Sequence, residues 1–146
     1  LIRVGGPFTQ GQNELVQALK LGDAVQVLPF LSRKALAAVY RRASLALQPS
    51  EREGFGLPVV EAMACGTNVV ASDIDSLREA GGEAATYCPV GEVAHWSDAV
   101  VQLLGERKRD PAAWEQRRIR GLAQATRFSW SEHARKVVAV YETLLT

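Results

Sequence analysis

The chain has 146 residues, 47% of them hydrophobic and 23% charged, a length and mixture that suit one globular domain with a real core and argue against disorder. A formal net charge of +1 leaves no basic face of the size that nucleic acid or anionic lipid requires. No apolar run approaches the roughly 18 residues of a membrane span and no signal peptide is visible, so no membrane span is expected here and the expected location is the cytoplasm.

The elements alternate from the start. Leu1–Val4 is apolar and β-compatible, and it ends at Gly5-Gly6-Pro7. Because "LIRVGG" opens on Leu1 in mid-strand, the sequence reads as a piece of a longer chain. Thr9 with Gln12 forms a capping box, and Leu15, Ala18 and Leu19 make the apolar face of a helix that Gly22 is expected to terminate. "AVQVLPF" (24–30) reads as a strand. Ser32 caps the next helix, where Leu36, Val39, Tyr40 and Ala43 share a side. "SLALQ" (44–48) is a third strand, stopped by Pro49.

Beyond residue 66 the alternation continues. "NVVAS" (68–72) is a buried-strand run, and Ser76 with Glu79 offers another capping box for a short helix. "AATYC" (84–88) is a fifth strand. The pattern then turns wholly helical, with one helix near 92–105, one from Asp110-Pro111 to about 126, and one from Ser129 to near 145. Pro111 suits a first helical position, where its missing N–H costs nothing, and Ser129 with Glu132 forms the last box. Cys65 and Cys88 stand in apolar surroundings without metal-ligand spacing and read as two reduced core thiols. Strands separated by single helices demand crossovers, and short apolar runs agree with burial on both faces. The expected fold is α/β: a doubly wound, Rossmann-like parallel sheet with a helical C-terminal tail, one domain over 1–146.

The stretch "SEREGFGLPVVEAMACG" (50–66) follows the third strand, and in such sheets ligands bind beyond the carboxyl ends of the strands. Gly54 and Gly56 permit a tight turn and close approach of backbone to a ligand. Pro58 presets φ for a helix that ends at Gly66. A glycine loop feeding a helix N-terminus presents unpaired N–H groups and the positive end of the macrodipole, which together hold phosphate oxygens. Glu61, expected in the first turn, and Glu53, before the glycines, are hydroxyl acceptors on either side of that cradle. The arrangement outlines a nucleotide sugar. From spacing alone, a dipole-matched Glu61 and a solvated Glu53 beside Glu51 and Arg52 explain the pattern equally well.

The stretch "PSEREGFGLPVVEAMACGTNVVASD" (49–73) resembles the signature of the retaining glycosyltransferases of family 4, of the two-domain GT-B type, with Glu53 and Glu61 at its two glutamates. "LGDAVQVLPFLSRKALAAVYRRA", "LREAGGEAATYCPVGEVAHWSDAVVQLL" and "FSWSEHARKVVAVYETLL" resemble the flanking units and the closing helix, so the likeness covers nearly all of the chain. Asn68 stands where the family usually has Pro. The resemblance implies the C-terminal, donor-binding domain of an enzyme that moves a sugar from a nucleoside diphosphate to an acceptor with retention. Glu61 would bind the ribose hydroxyls, and Glu53, the catalytic-site glutamate, would contact the donor sugar and position it without attacking it. Amides of Phe55, Gly56 and Leu57 would approach the sugar or diphosphate, and the backbone around Phe30 and Leu31 would line the base pocket. No metal and no cofactor beyond the donor substrate is implied, because basic side chains and a helix dipole neutralise the diphosphate.

The family's Arg and Lys diphosphate clamp would lie upstream of Leu1, as would the N-terminal domain that contributes the acceptor site and a catalytic His. That domain is an expected partner, and the piece alone is expected to be inactive. Arg33, Lys34 and Arg52 read as solvated, and His95 and His133 as structural or exposed. Trp96, Trp114, Phe128 and Trp130 read as packing residues. The apolar side of the last helix (Val137, Val140, Tyr141, Leu144) is expected to be partly uncovered and open to self-association. A non-catalytic nucleotide-sugar binding module, or a degenerate partner subunit, is the alternative. A sugar phosphorylase would need a cofactor lysine, and Lys20, Lys34, Lys108 and Lys136 offer no such context.

Overall fold

The structure, a computed structural model, describes residues 1–145. The chain divides into two compact units, Leu1–Val39 and the remainder from Tyr40. In the first, β1 (Ile2–Val4) and β2 (Gln26–Leu28) pair in parallel, with Ile2 opposite Gln26 and Val4 opposite Leu28. The helix α1 (Gln10–Ala18) links them, and both halves of its capping box form: Gln12 N–H donates to Thr9 Oγ1 at 3.3 Å and Thr9 N–H to Gln12 Oε1 at 3.0 Å. Gly22 does not end this helix. Lys20 takes the left-handed turn (φ 54°), closed by N–H bonds from Lys20 to the Gln17 carbonyl and from Leu21 to that of Val16, both 2.9 Å. Gly22 instead opens a short 3₁₀ turn. β2 is shorter than expected because Pro29 has no N–H to continue a ladder. Ser32 Oγ accepts from Ala35 N–H at 3.3 Å at the start of α2 (Arg33–Arg42), within which the division of the chain falls.

The second unit holds β3 (Leu45–Gln48), α3 (Leu57–Ala64), β4 (Asn68–Ser72), α4 (Asp75–Gly81) and β5 (Thr86–Cys88). Its sheet runs β3-β4-β5, parallel throughout, with Leu45 opposite Asn68 and Val70 opposite Thr86. Parallel neighbours require crossovers, and α3 and α4 provide them. All five residues of β4 are buried. Val69 and Ala71 pack with Val59, Met63, Leu77 and Ala80 from α3 and α4. Val70, on the other face, packs with Cys88 and Leu103. Burial on both faces explains why the middle of this strand, Val69-Val70-Ala71, shows no polar alternation.

Three helices follow: α5 (Val93–Arg109), α6 (Pro111–Ala125) and α7 (Trp130–Leu144). Asp110 accepts from Ala113 N–H at 2.9 Å and Ser129 from Glu132 N–H at 3.1 Å, so both are N-caps, and Pro111 opens α6. The Ser76–Glu79 box does not form. The helix α4 begins at Asp75, which puts Ser76 inside it, and its cap residue Ile74 has no side-chain acceptor. Gly121 in α6 leaves room for Met63, whose Cγ would lie 3.4 Å from a Cβ there.

Trp96 and Trp114 pack on the second cluster and Phe128 on the first, as expected. Trp130 does not pack as expected: it is the first residue of a helix that buries none of its residues, and it is 77% exposed, in edge contact with the His133 ring. The α7 residues Val137, Val140, Tyr141 and Leu144 are all exposed. Both cysteines are free, but only Cys88 is core, since Cys65 caps the end of α3 and is half-buried. Among the described residues no helix is long and apolar enough to cross a membrane.

Candidate functional site

The loop from Pro49 to Gly56 leaves the carboxyl end of β3 and enters α3. Gly56 is its hinge. Its φ of +89° lies in the left-handed region, and a Cβ there would stand 2.9 Å from Leu77 Cδ2 and 3.1 Å from Ala80 Cβ. Conformation and space both demand glycine at this position. Gly54 differs from the sequence reading: its φ is not left-handed and nothing lies within 4 Å of its missing Cβ. The turn is made by Gly56 alone, and Gly54 leaves an open approach to the backbone.

The N-terminus of α3 has no side-chain cap. No described residue accepts from the N–H of Phe55, Gly56 or Leu57. Pro58, the second helical residue, has no N–H to satisfy. A run of unpaired main-chain donors at the positive end of a helix is suited to oxyanions. Phe55 and Leu57 are partly exposed, at 42% and 45%, and the Phe55 ring meets that of Phe128 edge to face, 5.5 Å between centroids.

Glu53 is half-buried in this loop. Its Oε1 accepts from Gly54 N–H at 3.2 Å and its Oε2 from the Gln48 amide at 3.1 Å. The same Gln48 Nε2 donates to Ser50 Oγ at 2.8 Å. Glu53 is therefore a held carboxylate, contrary to the alternative of a freely solvated loop charge. Glu61 departs from expectation in a different way. The helix begins at Leu57, so Glu61 is its fifth residue and lies beyond the first turn, where the macrodipole has largely fallen away. It occupies the exposed side of α3, whose other side carries the buried Val59, Val60, Ala62 and Met63.

Tyr40 is the neighbour that the sequence reading did not single out. Burial, then the charge of Glu61, then that of Cys65 push its phenol up to about 12, so Tyr40 is a neutral O–H donor beside Glu61 at any ordinary pH. Its carbonyl accepts from Thr67 Oγ1 at 2.6 Å, which ties the end of α2 to the start of β4. Gln48 was also missed, although a polar residue closing an otherwise apolar strand at its carboxyl end is a usable signal.

Phe30 and Leu31 belong to the first unit, and Glu53 and Glu61 to the second. Phe30 is 85% exposed, with its ring over Gly5, and Leu31 is half-buried. Arg33, Lys34, Arg52, His95 and His133 are exposed. Two open depressions of about 270 and 330 Å³ lie along α6, one lined by Glu83, Arg120, Gln124 and Arg127, and neither includes a residue of the loop. Among the described residues no cluster of His, Cys, Asp or Glu could hold a metal ion.

Residues 1–120 match the family model described as glycosyl transferases group 1. A D-inositol 3-phosphate glycosyltransferase of Nocardia farcinica is 37% identical over 97% of the chain and 32% of its own length. An O-antigen chain mannosyltransferase B of Escherichia coli is 35% identical over 82% of the chain and 30% of its own length. The chain thus spans about a third of the length of the curated relatives it matches. Among solved structures, the sucrose-phosphate synthase of Thermosynechococcus elongatus superposes with a TM-score of 0.85 at 29% identity, over 99% of this chain and 38% of that one. The Anabaena protein HepE, solved in complex with UDP, shares the fold, with a TM-score of 0.82 at 21% identity over 97% of this chain and 40% of that one.

Proposed function

The chain belongs to the group 1 glycosyl transferases, and on that premise we propose that it is the donor-binding part of a retaining enzyme of the family 4 type, using a nucleoside-diphosphate sugar. The single observation that carries this reading is the loop at the end of β3, where three main-chain N–H groups without acceptors among the described residues adjoin the held carboxylate of Glu53. In the proposal those amides of Phe55, Gly56 and Leu57 meet the diphosphate, where fixed dipoles are most effective because they need not reorganise as charge develops. Glu53 accepts hydroxyl protons from the donor sugar. Glu61, with Tyr40 alongside, accepts those of the ribose.

The departing diphosphate assists attack on the same face of the sugar, which retains the anomer, and Glu53 orients the donor and forms no bond to it. The reading invokes neither a metal nor a resident cofactor. This part alone binds nucleotide weakly and transfers nothing, since acceptor groups and domain closure belong to the rest of a longer protein. The UDP held by HepE makes UDP the first nucleotide to try, with GDP and ADP beside it. Calorimetric titration of Glu61→Ala should show about a tenfold loss for the nucleoside diphosphate that binds, as for a hydrogen bond to a charged group. Pyrophosphate, which has no ribose, should be unaffected, and equal losses for both ligands would refute the ribose assignment.

A further inference from the structure

We propose that Gln48 is a positioning residue: its side-chain amide aims the Glu53 carboxylate at the donor sugar, an inference that rests on the reading of Glu53 as a sugar acceptor. Gln48 is the last residue of β3, so its backbone is fixed by the ladder to β4, where it pairs with Ala71. Its Nε2 carries two hydrogens, and the geometry uses both, one toward Ser50 Oγ at 2.8 Å and one toward Glu53 Oε2 at 3.1 Å. The orientation of the amide is fixed by chemistry. A carboxylate only accepts, so the nitrogen faces Glu53 and the carbonyl oxygen cannot take its place without setting two acceptors against each other.

The loop itself gives Glu53 only the adjacent Gly54 N–H, at 3.2 Å, on the other oxygen. That contact joins adjacent residues and ties the carboxylate to nothing beyond the loop. The bond to Gln48 spans five residues and is the tie from the carboxylate to the sheet. It occupies one lone pair of Oε2 and leaves further acceptor sites on both oxygens for hydroxyls. A carboxylate oriented before the ligand arrives avoids the ordering cost that a free glutamate would meet on binding.

The test uses the full-length protein and calorimetry with two probe pairs, UDP with UDP-glucose and GDP with GDP-mannose. For the pair that binds, Gln48→Leu should weaken the nucleotide sugar about tenfold while changing the free nucleoside diphosphate by less than about twofold. Glu53→Gln should give the same split. The decisive variant combines Gln48→Leu with Glu53→Gln: a residue acting through Glu53 adds no further loss once that carboxylate is gone, whereas one acting independently adds its full effect. Gln48→Glu, equal in size but repelling Glu53, should weaken the nucleotide sugar more than Gln48→Leu does, and it keeps the test alive should the leucine variant not fold. Additive losses, or an unchanged split in the Gln48 variants beside a large one in Glu53→Gln, overturn the positioning role alone. An unchanged split in Glu53→Gln overturns the sugar reading of Glu53 and this inference with it.

Discussion

Replacing Gly56 by alanine tests whether the loop's conformation is imposed by the backbone, by packing, or by both. At φ +89° an alanine carries the left-handed penalty of about 1–2 kcal/mol. Its Cβ also meets Leu77 Cδ2 at 2.9 Å and Ala80 Cβ at 3.1 Å. Leu77 and Ala80 are both fully buried, so neither can swing away, and overpacking of this kind costs about 1–3 kcal/mol. The sum is about 2–5 kcal/mol for Gly56→Ala. Two glycines of the same unit separate the contributions. Gly91 has φ +76° with nothing within 4 Å, so its alanine variant should lose about 1–2 kcal/mol. Gly54 has neither the left-handed φ nor a neighbour, and its variant should stay within about 0.5 kcal/mol of the parent. Urea unfolding of the three variants, compared at a common slope, gives the order directly. Gly56→Ala no worse than Gly91→Ala would refute the steric argument, and three equal losses would refute the conformational one too.

Three other outcomes are expected. Tyr40 is pushed up to about 12, first by burial and then by Glu61 and Cys65; Tyr87 is also pushed up to about 12, by burial against the opposing effect of Arg78. The folded chain keeps protons that the unfolded chain releases, so their contribution is full below pH 10 and falls as pH rises toward about 12. Tyr40→Phe should flatten part of that decline in an alkaline unfolding series, and an unaltered decline would remove Tyr40 from the account. Gln124 is buried and donates to the Ala80 carbonyl at 3.1 Å, near the end of α4. Gln124→Leu should therefore lose about 1–3 kcal/mol in urea unfolding, the cost of a stranded buried acceptor, and less than about 0.5 kcal/mol would refute this. A double-mutant cycle on Phe55 and Phe128, each to leucine, should give a coupling of about 0.5–1.5 kcal/mol for the edge-to-face pair, and additivity would show the contact to be idle.

The elements that the sequence disclosed most clearly are those where local chemistry decides. Thr9, Ser32, Asp110 and Ser129 are N-caps in the structure because each has a side-chain oxygen in reach of an N–H in the first turn. β4 runs over the residues expected of it because burial on both faces leaves it no polar alternation. Failures came where backbone hydrogen bonding outweighed residue preference. Lys20 accepts a left-handed φ because α1 closes through it, although Gly22 stands two residues on. The Ser76 box is forestalled because the chain leaves β4 with Asp73 N–H bonded to the Cys88 carbonyl at 2.8 Å, which carries it into α4 before Ser76 is reached. At the candidate site, the tight turn at Gly56 was legible in the sequence, whereas Glu61 lies beyond the first turn expected for it. Tyr40 was not legible, because its neighbour Glu61 lies on another helix, and Gln48 offered only the weak signal of a polar residue closing an apolar strand.

The loop is fastened at Glu53, Phe55 and Gly56 by three different kinds of force. Glu53 is held by the amide of Gln48, Phe55 by a ring contact with Phe128, and Gly56 by a fit against Leu77 and Ala80 that admits no side chain. These partners come from β3, from the segment after α6, and from α4, which converge only in the folded unit. A glycine-bearing loop free in solution would have to be ordered by its ligand, at a cost of about 1–2 kcal/mol per fixed residue. Here folding meets that cost beforehand, so the N–H groups of Phe55, Gly56 and Leu57, which have no acceptor among the described residues, would meet an oxyanion already aligned in the proposed role. The same fastening explains why the buried face of α3 is so apolar: Val59, Ala62 and Met63 are each at most 1% exposed, and it is their packing that fixes the helix whose first turn carries the donors.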